Sequence, residues 1–467
     1  MDTIEKPKAG ADAGYRPVQG LTAFIVEDVR ALMAAPLPAD VLEAARQSIL
    51  DWFGIAIGGA DEPLVEKLRF EAREQGGNPL AGVVYHGEKT STAYAALING
   101  AMADALDFSD ANLAMRGHTT PANVATALAM GEAQNASGMD FIKAVIAGVE
   151  TGCRVGTLVN QPYLRKGFHP TGNLVPFGAA AAASQMLGLG AEQWAHALGI
   201  AATQAAGLLA SGGTMSKPFH SGKAAMNGVL SASLAAHGFT GRANAIEASE
   251  GFLSTHSDSV GDELMRAADG RYLILDTTFK THAACGLTHD TIDNILQAKR
   301  EHGLSADSIR HIDIDVPVLH LRVCNIQEPV TGLQAKFSLR AVAAMALLGD
   351  DTTDIHAYTA GLAARPDLVA LRDRTQVNGR EELKAACVAN IELADGRRIS
   401  VRSDGRTPSR DQALKRTAVS RKFLQLVTPV LGSEAAARLH RDITGLHALD
   451  SVKPLIDGAA RRAIAAT

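Results

Sequence analysis

The sequence predicts a mainly α protein, with a large helical domain followed by an α/β domain. Three observations carry that reading. Hydrophobic residues make up 46% of the 467 residues but aromatics only 4%, so the core is packed with Ala, Leu, Val and Ile. Ala loses no side-chain entropy in a helix and favours one. Small-residue segments with helical character recur through the first half, and alternating strand patterns begin only after Asp276.

The elements follow in order. The first 20 residues are polar and contain Gly and Pro, which predicts a loose tail. Residues 41–59, VLEAARQSILDWFGIAIGG, read as an amphipathic helix with Asp40 as its N-cap and glycines at its end. Further helical segments are expected at 92–106, 121–134, 140–155, 173–187, 191–209 and 223–237. In RHIDIDV, 310–316, Ile312, Ile314 and Val316 alternate with polar residues, as in a half-buried strand. CVANIEL at 387–393 and RISVR at 398–402 flank an Asp395-Gly396 turn, a strong hairpin signal. Helices are expected between these strands at 289–301, 338–348 and 353–364. Residues 270–405 therefore form the α/β domain. The helical tail from Ser409 fits either the end of that domain or a return to the first.

Composition excludes several classes. With 45 basic and 50 acidic residues the formal charge is −5, which argues against a nucleic-acid coat. No run of 18 apolar residues appears, so no membrane span is expected. The start lacks an apolar signal region, and a cytoplasmic location is expected. The four cysteines are far apart with no CxxC, against a disulfide framework or zinc knuckle. A P-loop, a GxSxG elbow and a dinucleotide fingerprint are all missing.

Four polar clusters interrupt the apolar helices. Residues 107–121 gather Asp107, Asp110, Arg116 and His118 in a loop, costly to bury unless paired; a solvated connection capped by Thr119 or Thr120 is the plainer reading. Residues 165–173 carry His169, a base or anion contact, beside Thr171, a candidate helix cap. Residues 212–223 set glycines before Lys217 and a helix start, which suits an anion as well as a plain interhelical loop. Residues 280–289 hold Lys280, His282, Cys285 and His289; a metal site there is weakly supported, since HExxH is missing, and a hinge with Thr288 as a cap is the commoner pattern.

Taken in order, these clusters resemble the MmgE/PrpD family of 2-methylcitrate dehydratase, cis-aconitate decarboxylase and iminodisuccinate epimerase. The resemblance runs over nearly the whole chain. It is carried by ILDWFGIAIGG (49–59), ALINGAMADALDFSD (96–110), RGH (116–118), GFHPTGNLVPFGAAAAAS (167–184), GTMSKPFHSGKAAMNGVLSA (213–232), residues 280–289 and KFSLRAVAAMALL (336–348). It implies an all-helical domain of residues 21–269 with 406–467, and an inserted α/β lid of 270–405. It further implies a homodimer and no organic cofactor; no metal is expected, as the weak 280–289 spacing already argues. The motifs put Asp107, His118, His169, Lys217 and Lys280 in the catalytic site.

Such residues fit a small anionic carboxylate substrate. Lysines neutralise carboxylates, and a histidine near neutrality moves the proton of a carbon beside one. The implied function is a dehydratase-type lyase. An epimerase of an amino- or imino-dicarboxylate is the alternative; a decarboxylase, a catalytically dead binding protein and a metal hydrolase rank lower. The family's decarboxylase has Thr and Tyr where this chain has Ala111 and Ala341, and the family's lid motif usually carries prolines where Thr281 and Ala283 follow Lys280. Arg116 and His282 are expected as replacement substrate contacts.

Overall fold

The computed structural model describes residues 20–159, 166–257, 270–404 and 411–461. The expected tail before Gly20 and the junctions at 258–269 and 405–410 lie outside the described residues. The fold is mainly α, as the sequence predicts, with a sheet in the C-terminal half. Among the described residues no helix is long and apolar enough to cross a membrane.

The first half is built from α1 (Leu21–Ala34), α2 (Ala39–Gly58), α3 (Pro63–Gln75), α4 (Thr92–Met102), α5 (Thr120–Gln134), α6 (Gly138–Leu158), α7 (Pro170–Met186), α8 (Ala191–Ala202) and α9 (Ser216–Ala236). Small residues let these helices nearly touch. A Cβ on Gly222 of α9 would lie 2.2 Å from the Leu97 carbonyl of α4, and one on Gly178 of α7 would lie 2.5 Å from the Gly148 carbonyl of α6. No side chain fits at such distances. Ala-rich composition thus becomes close helix packing around one continuous apolar core.

The second half contains α10 (His289–His302), β1 (Ile309–Pro317), α11 (Leu339–Leu348), β2 (Thr375–Arg380), β3 (Cys387–Leu393) and β4 (Arg398–Ser403). The sheet order is β2-β1-β3-β4, with β1 and β2 parallel and the other pairs antiparallel. Ile312, Ile314 and Val316 are buried under α10 and α11 in a second apolar cluster. The chain then enters α12 (Gln412–Leu431), α13 (Ser433–Thr444) and α14 (Lys453–Ala459). Here α12 lies along α2, where a Cβ on Gly54 would come 3.2 Å from the Phe423 Cα. Val419, Phe423, Leu439 and Leu455 share the first core with Ile49 and Phe53.

Four expectations need correction. The helix expected at 191–209 ends at Ala202, where Thr203 Oγ1 and Gln204 Nε2 both turn back to the Ile200 carbonyl. The helix expected at 353–364 is two short turns, Ile355–Ala357 and Ala360–Ala363, begun separately by the Asp354 and Thr359 side chains. The helix expected from 223 starts at Ser216, because Pro218 sits in the first turn, where a missing N–H costs nothing. Of the expected caps, Asp40 lies inside α2 and bonds only the Val41 N–H, while Thr119 and Thr288 cap no N–H with their side chains.

Candidate active site

The chain leaves α4 through a turn at 103–106 and passes Asp107, in a left-handed conformation with φ 53°. Ala111–Asn112 then pairs with Thr277–Thr278, more than 160 residues later, and Asn112 Nδ2 donates to the Leu273 carbonyl at 2.8 Å. A second left-handed residue, Arg116 at φ 56°, turns the chain back to His118 and α5. The loop is thus held in shape by its own backbone and by the 273–278 segment.

Lysines from elsewhere hold three successive carbonyls of this loop. Lys336, just before α11, donates to Leu106 O at 2.7 Å. Lys280 donates to Asp107 O at 2.5 Å, and Lys422 of α12 to Phe108 O at 2.7 Å. All three ammonium groups are buried. Lys422 also pairs with buried Asp51 at 2.8 Å and lies 3.8 Å over the Phe108 ring.

Asp107 bridges two cations. Its Oδ1 is 2.6 Å from Lys217 Nζ and its Oδ2 is 3.0 Å from Lys280 Nζ. Lys217, in the first turn of α9, also meets Asp104 at 2.9 Å. Burial alone would raise both carboxyls, but the lysine charges outweigh it and hold Asp107 far below the usual range and Asp104 below it. Burial works against the Lys217 charge too, yet the two aspartates push its pKa up. Burial pushes Lys336 down to about 8, with Asp107 opposing. Lys217 and Lys280 therefore pair with Asp104 and Asp107, Lys422 with Asp51, and Lys336 closes the cluster on the Leu106 carbonyl.

His118 joins this cluster. Its Nδ1 is 2.6 Å from the Asp110 carbonyl and 3.1 Å from Ser109 Oγ, and Ser109 donates to Asp104 at 3.0 Å. A carbonyl only accepts, so Nδ1 carries the proton and the neutral ring has its free lone pair on Nε2. Burial and the Lys217 charge lower its pKa to about 4, so the ring is neutral at pH 7. His169 occupies the N-cap position of α7, and its Nδ1 is 2.9 Å from Nδ1 of His220 on α9. Thr171 caps no helix; its Oγ1 accepts the His118 N–H at 3.1 Å.

Asp107, His118, Lys217 and Lys280 thus form one contiguous network, with His169 beside it. Arg116 is exposed on the loop. His282 is buried, with Thr352 Oγ1 2.7 Å from its Nδ1 and Asp293 3.1 Å from its Nε2. Asp104, Ser109, Lys336 and His220 also belong to the site, though the motifs do not single them out. Among the described residues the one group with metal-ligand spacing is Asp104, Asp107 and His118. Both its carboxylates are already matched by lysines, so a cation would have to displace an ammonium. His282, Cys285 and His289 do not converge in this way.

A cavity of about 660 Å³ lies between α12 and the 278–281 segment, lined in part by Phe108, Lys280, Lys415, Lys422 and Thr353.

Family models match most of the chain: the MmgE/PrpD N-terminal domain over residues 25–264 and the MmgE/PrpD C-terminal domain over 282–444. A cis-aconitate decarboxylase of Aspergillus terreus is 26% identical, covering 96% of this chain and 97% of that protein. The human cis-aconitate decarboxylase is 24% identical over 94% of each chain. The cis-aconitate decarboxylase-like protein oryM of Aspergillus oryzae is 28% identical over 61% of this chain and 63% of its own length.

Proposed function

Because the chain belongs to the MmgE/PrpD family, we propose that it is a lyase that removes a proton next to a carboxylate of a small di- or tricarboxylate and expels water. One observation carries this reading: the His118 Nδ1–H is committed to the Asp110 carbonyl, which leaves a neutral Nε2 lone pair beside Lys217 and Lys280. A base held in that form suits a reaction that starts with C–H cleavage.

The remaining groups fit the same chemistry. A substrate carboxylate competes with Asp107 for the two ammoniums and gives Lys217 and Lys280 the charge of the developing enolate to stabilise. His118 Nε2 takes the α-proton. His169 gives a proton to the β-hydroxyl, which leaves as water while the alkene forms. Without a leaving group, return of the proton to the opposite face gives an epimerase, the alternative outcome of the same first step.

Decarboxylation is a second reading, favoured by the names of the relatives. It begins with C–C cleavage and calls for a proton donor rather than a base. The family resemblance puts a decarboxylase Tyr at Ala341, which is fully buried in α11 and offers no hydroxyl.

Proton NMR in D₂O with 2-methylcitrate, citrate, cis-aconitate, iminodisuccinate and malates decides among these. A new vinylic signal with loss of the hydroxyl supports the hydro-lyase. Deuterium at the α-carbon without an alkene gives the epimerase, release of CO₂ gives the decarboxylase, and no change with any of them overturns the proposal.

A further inference from the structure

We propose that His220 is a positioning residue that relays a proton between solvent and His169. The proposal rests on reading His169 as the proton donor of the reaction. Its basis is one contact: the two Nδ1 atoms face each other at 2.9 Å, with ring centroids 5.0 Å apart. Two lone pairs or two N–H groups repel at that distance, so one proton lies between the rings. The two neutral rings then hold opposite tautomers, one with Nδ1–H and a bare Nε2, the other with a bare Nδ1 and Nε2–H.

Two different helices fix the pair. His169 starts α7, and its N–H donates to the Gly207 carbonyl at 3.1 Å. His220 lies on α9, three residues after Lys217, so the helix that aims the lysine also aims this ring. The approach of the 207 turn is close: a Cβ on Gly207 would come 3.4 Å from His220 Nδ1 and 3.0 Å from the Gly172 Cα. His220 is half-buried, so its far edge is within reach of water.

The proton balance closes. His169 gives its Nε2 proton to the substrate, and the His220 Nδ1 proton moves to His169 Nδ1. His220 takes a proton from water at Nε2, leaving hydroxide. Both rings end neutral with their tautomers exchanged. The reverse shift resets them when His169 Nε2 takes up the abstracted proton and His220 Nε2 returns its proton to hydroxide.

His220→Ala should lower kcat by about 10- to 100-fold with KM within about twofold, and free imidazole should restore kcat in a saturable way. His220→Asn keeps a hydrogen-bonding group near the Nδ1 position but cannot relay, so its kcat should stay low. Wild-type kcat in the alanine variant, or full recovery with Asn, would overturn the relay. Long-range ¹H–¹⁵N NMR of histidine-labelled, substrate-free protein tests the pair independently of any turnover. It should give opposite tautomers for His169 and His220, and His220→Ala should change only the pattern of His169. The same tautomer in both rings refutes the proposal even in an active enzyme; opposite tautomers in a protein inactive on every carboxylate would uphold the shared proton and strike the substrate reading alone.

Discussion

At the scale of single residues, the contest between burial and neighbouring charges decides which groups are charged, and two of them give pH signatures. Burial and the Lys217 charge hold His118 at about 4. A base works only unprotonated, so kcat/KM should be flat from pH 7 down to about 5. It should then fall about tenfold per unit below pH 4 as the ring protonates. His118→Asn should lose about 10²- to 10⁴-fold in kcat at pH 7 and abolish that acid limb. Rapid pH-jump assays check both; an acid limb retained by the Asn variant would assign it to another group. Asp110 has the opposite character. Burial raises its carboxyl to about 7, against the hydrogen bond from Thr120. Between the ordinary aspartate value near 4 and about 7 the folded state holds a proton that the unfolded state has lost, so stability falls as pH rises through that window. Asp110→Asn removes this slope. Melting temperatures measured from pH 4.5 to 8 should be flatter in the variant, and its Tm should exceed wild type above pH 7. A parallel pair of curves would show that Asp110 is ionised throughout.

At the scale of elements, glycines set how close α9 comes to α4, and so where Lys217 and Ser221 sit. Ser221 Oγ donates to Asp104 at 2.8 Å, and Gly222 follows it directly against the Leu97 carbonyl. Gly222→Ala should cost about 1–3 kcal/mol of stability and at least tenfold in kcat, because the helix must retreat and draw both side chains off Asp104. Thermal melts and steady-state kinetics measure the two losses; full activity in a destabilised variant would mean that the loop, not α9, aligns the site. This dependence on contacts explains what the sequence disclosed. Helix periodicity and the hairpin around Asp395-Gly396 are local, and they mark α2, α4 to α7 and the β3–β4 pair. Strand β2, TQVNGR, was missed because Asn378-Gly379 reads as a turn; only pairing with β1, more than 60 residues earlier, makes it a strand. Asp104 was read as part of an apolar helix, since the lysine that makes its burial tolerable lies 113 residues on. Lys336 and His220 were quoted inside motifs, but their partners, Leu106 O and His169, are visible only in three dimensions.

At the scale of the molecule, the site belongs to neither half of the chain alone. The Asp107 loop and Lys217 come from the first half; Lys280, Lys336 and Lys422 come from the second, and each holds one carbonyl of the loop. The apolar core is shared in the same way. Phe423 of α12 is fully buried against Gly54, and a Cβ on Gly138 would lie 1.8 Å from the Leu446 carbonyl, so the tail is seated on α2 and α6 with no room for slack. A chain ending at 257 would expose the face of α2 that α12 covers and leave Asp51 buried without Lys422. Losing Val419, Phe423, Val427, Leu439 and Leu455 removes about 1.5–3 kcal/mol of burial per side chain, together comparable to the whole net stability of a typical domain. The fragment 20–257 expressed alone should therefore be aggregated or lack near-ultraviolet circular dichroism. Adding residues 411–461 as a separate chain should recover some native signal, since α12 to α14 pack on the first half, but not activity, which also needs Lys280 and Lys336. A cooperative melt of 20–257 by itself would show that the first half folds independently. The C-terminal helices would then be a late addition that positions Lys422 and little else.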